Sequence, residues 1–185
     1  MGTGRSGLPK GVRNTTTTVT NILGDKRMKP WTGSSDTVEI KSYIDGVNPH
    51  RDDHLHSNVP YSRYRENCQR CGPATDLRLA GYDVEATGKW MGDRHGVFSD
   101  SVSESYKHFY VGASWDKITA SNSTLAETQI ASLLPNVGAR AIVRIRWNDG
   151  NGHEIGGHVF NIVRTKDGLL GVDGQVNKFS LCKTT

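Results

Sequence analysis

An α+β fold is predicted by three features of the sequence: a helix signature with cysteines at its entrance in the first half, a run of turn-separated strands in the second, and no strand–helix–strand alternation. The 185 residues, 35% hydrophobic and 23% charged, fit one core with a loose segment attached.

The elements follow in order. Residues 1–36 are rich in Gly, Ser, Thr, Asn and Lys, include the run Thr15–Thr18, and hold no sustained periodicity; they read as a flexible leader or linker before a domain at 37–185. Gly2 and Ser6 match the N-myristoylation pattern, a permissive one set here in a polar, glycine-rich stretch. Thr37–Ile44 alternates enough for a short strand, closed by Asp45-Gly46 and Asn48-Pro49. Residues 50–64 read as a polar loop in which His50, His54 and His56 are solvated surface, with metal binding the lesser reading.

Asn67–Ala80 is the first strong helix, with Ala74, Leu77 and Leu79 as apolar contacts and Gly81 as its stop. Pro73 leaves two readings: a helix from Asn67 kinked at the proline, or a regular helix that starts there. Tyr82–Ala86 is extended, and 88–112 shows no readable pattern. Thr124 and Glu127 form a capping box for a second helix with Ile130, Leu133 and Leu134 on its apolar side. Arg140–Trp147 alternates as a half-buried strand: Ala141, Val143, Ile145 and Trp147 on one face, Arg140, Arg144 and Arg146 on a solvated face, Ile142 the exception. Turns at 148–152 and 166–168 separate strands at 155–164 and 169–173, giving an antiparallel meander.

Composition excludes several function classes. The net charge of +4 is a small difference between 23 basic and 19 acidic residues, which is no dedicated nucleic-acid surface. No apolar stretch approaches the length of a membrane span, and the first residues lack the apolar region of a signal peptide. Three cysteines cannot complete a disulfide framework, so reduced or reactive thiols are expected.

The chemistry-bearing residues are few. Cys68 and Cys71 form C-x-x-C, which alone fits redox chemistry, half a zinc site or two buried thiols. A thiol at a helix entrance gains from the unpaired N–H groups and the positive dipole end, which favour thiolate. His158, in Gly156-Gly-His-Val-Phe-Asn, is the best candidate base, and Asp173, in Gly171-Val-Asp-Gly-Gln, the natural group to orient it. If Arg164 pairs with Leu169 across the turn, Asp173 faces Phe160 and His158 is its diagonal neighbour; a tight turn at Asp167-Gly168 sets Asp173 opposite Ile162 instead.

Asn48-Pro49, Asn67-Cys-Gln-Arg-Cys, Leu79–Val84, Gly157-His-Val-Phe-Asn161 and Val172-Asp-Gly-Gln175 together resemble the papain-fold toxin domain of glutamine-deamidase type, found in bacterial polymorphic toxins and phage head-morphogenesis proteins. The resemblance runs from about Val47 to Gln175 and implies a papain-like fold in which a helix carrying the cysteine precedes an antiparallel sheet carrying His and Asp. It implies Cys68 as nucleophile, with Cys71 as the alternative, His158 as base and Asp173 as orienting carboxylate. Asn67 and Gln175 are candidate substrate contacts. No metal and no cofactor is expected; the partners implied are a protein with an accessible glutamine and an immunity protein, with no nucleic acid and no membrane, and the place of action is the cytoplasm of a target cell. A papain-like peptidase, an acyl transferase, a non-catalytic phage module and a zinc-held binding domain are the rival readings.

Overall fold

The computed structural model describes residues 8–15, 26–52, 62–89 and 106–181. Its elements are β1 (Val12–Asn14), α1 (Thr37–Ile44), α2 (Ser62–Arg65), α3 (Cys68–Leu79), β2 (Val84–Ala86), α4 (Ser123–Leu133), β3 (Arg140–Asn148), β4 (Glu154–Thr165), β5 (Gly168–Asp173) and β6 (Lys178–Leu181). The fold is mixed α+β. A four-stranded antiparallel sheet runs β3-β4-β5-β6 in chain order, and β1 pairs with β2 in a separate two-stranded sheet.

Helix α3 packs chiefly on β4. Its Cys71, Ala74, Leu77 and Leu79 share one cluster with Val163, Leu170 and Val172 of the sheet and with Ile40, Ile44, Val47 and Val84. Removing side chains of this size from water contributes roughly 1.5–3 kcal/mol each before chain entropy is counted. On the other sheet face, Ile162 and Leu169 pack with Leu134, and Ile130, Val143 and Phe160 gather around them.

Thr37–Ile44 is a helix, not a strand. Ile40, Tyr43 and Ile44 are buried while Val38 is exposed, and that i, i+3, i+4 spacing makes one helical stripe. Asp36 caps it by accepting from the Val38 N–H at 2.9 Å. The second helix is likewise capped by Asn122, which accepts from Leu125 N at 2.9 Å, rather than by Thr124.

Helix α3 runs through Pro73. A proline offers no N–H to the carbonyl four residues earlier, here that of Gln69, and the Tyr106 hydroxyl donates to that carbonyl instead.

The arginine face of β3 is turned to α3 rather than to solvent, while Ala141 and Val143 on the opposite face pack with the second cluster as expected. Arg140 turns toward α3 and donates from Nε to Asp76 Oδ1 at 2.8 Å, and Arg144 Nη2 reaches both Glu154 carboxylate oxygens at 3.1 Å. Ile142 lies on the α3 side, against Gly72, whereas Ile145 and Trp147 are 40% and 51% exposed. The cause is the overhang of the β3–β4 hairpin: the last β4–β5 pair is Asn161↔Val172, while β3–β4 pairing continues to Asn148↔Glu154.

Parts of residues 8–36 belong to the packed body. Val12 pairs with Ala86 and Asn14 with Val84, Trp31 is 3% exposed, and its N–H donates to Leu79 O at 2.8 Å. Gly2, Ser6, His54, His56, the stretch 90–105 and Cys182 lie outside the described residues. Among the described residues no helix is long and apolar enough to cross a membrane, and no three His, Cys, Asp or Glu side chains converge as metal ligands.

Candidate active site

Cys68 is the first residue of α3 and is partly exposed, whereas Cys71, one turn on, is 1% exposed. The difference separates the two thiols chemically. Burial pushes the Cys71 thiol well above its ordinary value; the nearby Cys68 and Asp173 add to the rise and Arg70 and Arg51 offset part of it. Cys71 Sγ also donates to Asn67 Oδ1 at 3.4 Å, a contact of a structural thiol.

His158 comes from β4 and Asp173 from the end of β5. Arg164 pairs with Leu169, so continuing that register sets Asp173 across from Phe160 and diagonal to His158. His158 Nε2 donates to Asp173 Oδ2 at 2.6 Å, and the His158 ring stacks on Phe160 at 6.0 Å between centroids. Asp173 Oδ1 accepts from Gln175 N at 3.0 Å, so both carboxylate oxygens are held.

His158 is raised from 6.5 to about 10, first by its bond to Asp173 and then by a hydrogen bond with Cys68, against an opposing effect of burial. Nε2 belongs to Asp173, which leaves Nδ1 as the ring nitrogen for the thiol. An imidazolium held this way through neutral pH is the partner a thiolate needs.

Asn67 and Gln175 are buried, and their amides are engaged by the protein. Asn67 Nδ2 donates to Asn48 Oδ1 at 3.0 Å and to Thr87 O at 3.1 Å. Gln175 Nε2 donates to Arg65 O at 2.9 Å. Although Asn67 stands at the N-cap position of α3, its side chain makes no capping bond to the helix, so the first turn presents its N–H groups without that competitor.

Tyr106 escaped the sequence reading, and Asn48 entered it only as a turn residue and as part of the resemblance. Tyr106 is buried, and its hydroxyl is pushed well above its ordinary value by that burial and then by Cys68 and Cys71; its ring packs near Trp115 at 6.2 Å. The signal for it was Pro73, which obliges some donor to find the Gln69 carbonyl. Asn48, at the other flank, is 8% exposed and bonded to three segments.

A thiol at a helix entrance, beside a sheet-borne histidine that a carboxylate holds at 2.6 Å, is a set of groups that nucleophilic acyl chemistry can use. The chain belongs to the papain fold toxin 1, glutamine deamidase family, whose family model matches residues 66–178, from just before Cys68 to the start of β6. No curated protein and no solved structure matches it.

Proposed function

We propose that the chain is a cysteine-dependent protein glutamine deamidase serving as a toxin or effector domain, with Cys68 as nucleophile, His158 as acid and base, and Asp173 as the group that orients the imidazole. The observation that carries the reading is the 2.6 Å bond of His158 to Asp173, with Cys68 at the entrance of α3 near enough to help raise the imidazole.

The Cys68 thiolate attacks the carboxamide carbon of a substrate glutamine, and the oxyanion is met by N–H groups of the first turn of α3. The carbon–nitrogen bond breaks as the imidazolium proton passes to the leaving nitrogen, releasing ammonia. Neutral His158 then takes a proton from water, whose hydroxide adds to the thioester. The thiolate departs, the imidazolium is restored, and glutamate stands where glutamine stood. The substrate is a protein with an accessible glutamine in the cytoplasm of a target cell, and a producing cell is protected by a cognate immunity protein.

The test incubates the protein with target-cell lysate and maps glutamine peptides by mass. A gain of about 1 Da per modified glutamine, absent with Cys68→Ala, is the expected result. Backbone cleavage that depends on Cys68 would replace the deamidase with a peptidase. Full activity of Cys68→Ala would remove the nucleophile assignment.

A further inference from the structure

We infer that Asn48 is a positioning residue for the reaction, fixing the helix entrance that carries Cys68 against the turn that carries Asp173; this rests on the reading of Cys68, His158 and Asp173 given above. The two groups come from distant parts of the chain, and Asn48 is bonded to the neighbours of both. Its Nδ2 donates to Asn67 Oδ1 at 3.3 Å and to Gln175 O at 3.1 Å, the residues one before Cys68 and two after Asp173, and to Tyr64 O at 2.8 Å. Its Oδ1 accepts from Asn67 Nδ2 at 3.0 Å. Gln175 returns the connection by donating from its backbone N–H to Asp173 Oδ1 at 3.0 Å.

Gln175 adds a second link between the flanks, its Nε2 donating to Arg65 O at 2.9 Å. Asn48 lies outside contact with the reacting atoms, so its effect passes through Asn67 and Gln175. With Asn67 engaged by Asn48, its carboxamide makes no capping bond to the N–H groups at the start of α3. The two N–H bonds of this buried amide are shared among three acceptors while its Oδ1 holds the Asn67 amide, so losing the side chain leaves buried partners unmet.

The experiment measures the rate of iodoacetamide alkylation of Cys68 between pH 5 and pH 9 in the full chain, mapped by peptide mass, for wild type, Asn48→Ala, Asn48→Ser and the core variant Val163→Ala. Val163→Ala serves as a destabilised control whose side chain makes no hydrogen bond to the hub. Each is assayed well below its melting temperature. Wild type and Val163→Ala are expected to share one profile with fast reaction on the acid side. Asn48→Ala is expected to lose about 10- to 100-fold of that acid-side rate, the size of effect that a misplacement near 1 Å produces. Asn48→Ser, which keeps one hydroxyl but cannot span the three acceptors, loses part of it and serves if the alanine variant does not fold. A folded Asn48 variant with the wild-type profile overturns the positioning role, as does an equal loss in Val163→Ala. A wild type with no acid-side advantage at Cys68 overturns the thiolate–imidazolium reading itself, and the inference with it.

Discussion

At the scale of single residues, the two thiols of the C-x-x-C separate by burial. Cys71→Ala is expected to cost about 1 kcal/mol in stability, as a small core truncation does, and to leave Cys68 labelling at low pH unchanged; loss of that labelling would return Cys71 to the nucleophile's place. The histidine supplies a pH signature. Because the folded state holds His158 up from 6.5 to about 10, its protonation stabilises the fold fully below about pH 6.5, and that contribution fades as pH rises toward 10. The stability of wild type relative to His158→Ala should therefore shrink across that window, as urea titrations at successive pH values will measure. Residue types that carry chemistry were legible in the sequence: a cysteine at a helix entrance, a histidine after paired glycines and an aspartate in a turn. Asn48 and Tyr106 were not, because an amide or a phenol acquires meaning only from tertiary partners. Asn67 and Gln175 were noticed as candidate substrate contacts, and the amide of Asn67 is engaged by Asn48 and Thr87, that of Gln175 by Arg65.

At the scale of elements, α3 is held at three places. Gly72 faces β4, where a Cβ would come within 2.8 Å of Val159 Cγ1. Gly174, after Asp173, leaves room that a Cβ would take from Thr75 of α3 and from Val47 Cγ1, the latter at 2.6 Å. Gly174→Ala should accordingly cost about 1–3 kcal/mol through overpacking and slow Cys68 alkylation by displacing the Asp173 turn. The third hold is the Tyr106 hydroxyl on the Gln69 carbonyl. Tyr106→Phe strands a buried acceptor and should cost about 1–3 kcal/mol. In a Pro73→Ala background, residue 73 regains the N–H that serves this carbonyl, so the same change should cost less, and a double-mutant cycle reads the difference as coupling. Equal costs in both backgrounds would show that the proline and the tyrosine are unrelated. The sequence showed where α3, β4 and β5 lie because their patterns are long or bounded by turns. It misassigned α1, since Val38 and Ile40 fit alternation while Ile40 and Ile44 fit a helix, and eight residues could not decide between periods. The β3 face was misread for a different reason: alternation shows that two faces exist, and only the tertiary packing shows which one α3 covers.

For the whole molecule, the early residues read as a leader help to close the core. Trp31→Ala should cost about 3–5 kcal/mol, and removing residues 1–36 should lower the melting temperature and the Cys68 reaction together; an unchanged melting curve would mean that β1 and Trp31 rest on the body without holding it. Low complexity hid this, because one tryptophan and a three-residue strand leave almost no periodic trace. Those three residues of β1 also set an order of events. Arg13 lies 72 positions from its partner Glu85, so pairing β1 with β2 requires closing a long loop for very few bonds. Such a strand joins late and leaves first: amides of Val12–Asn14 should exchange with deuterium earlier than those of β4, and a chain still emerging from the ribosome cannot complete this sheet until residue 86 has been made.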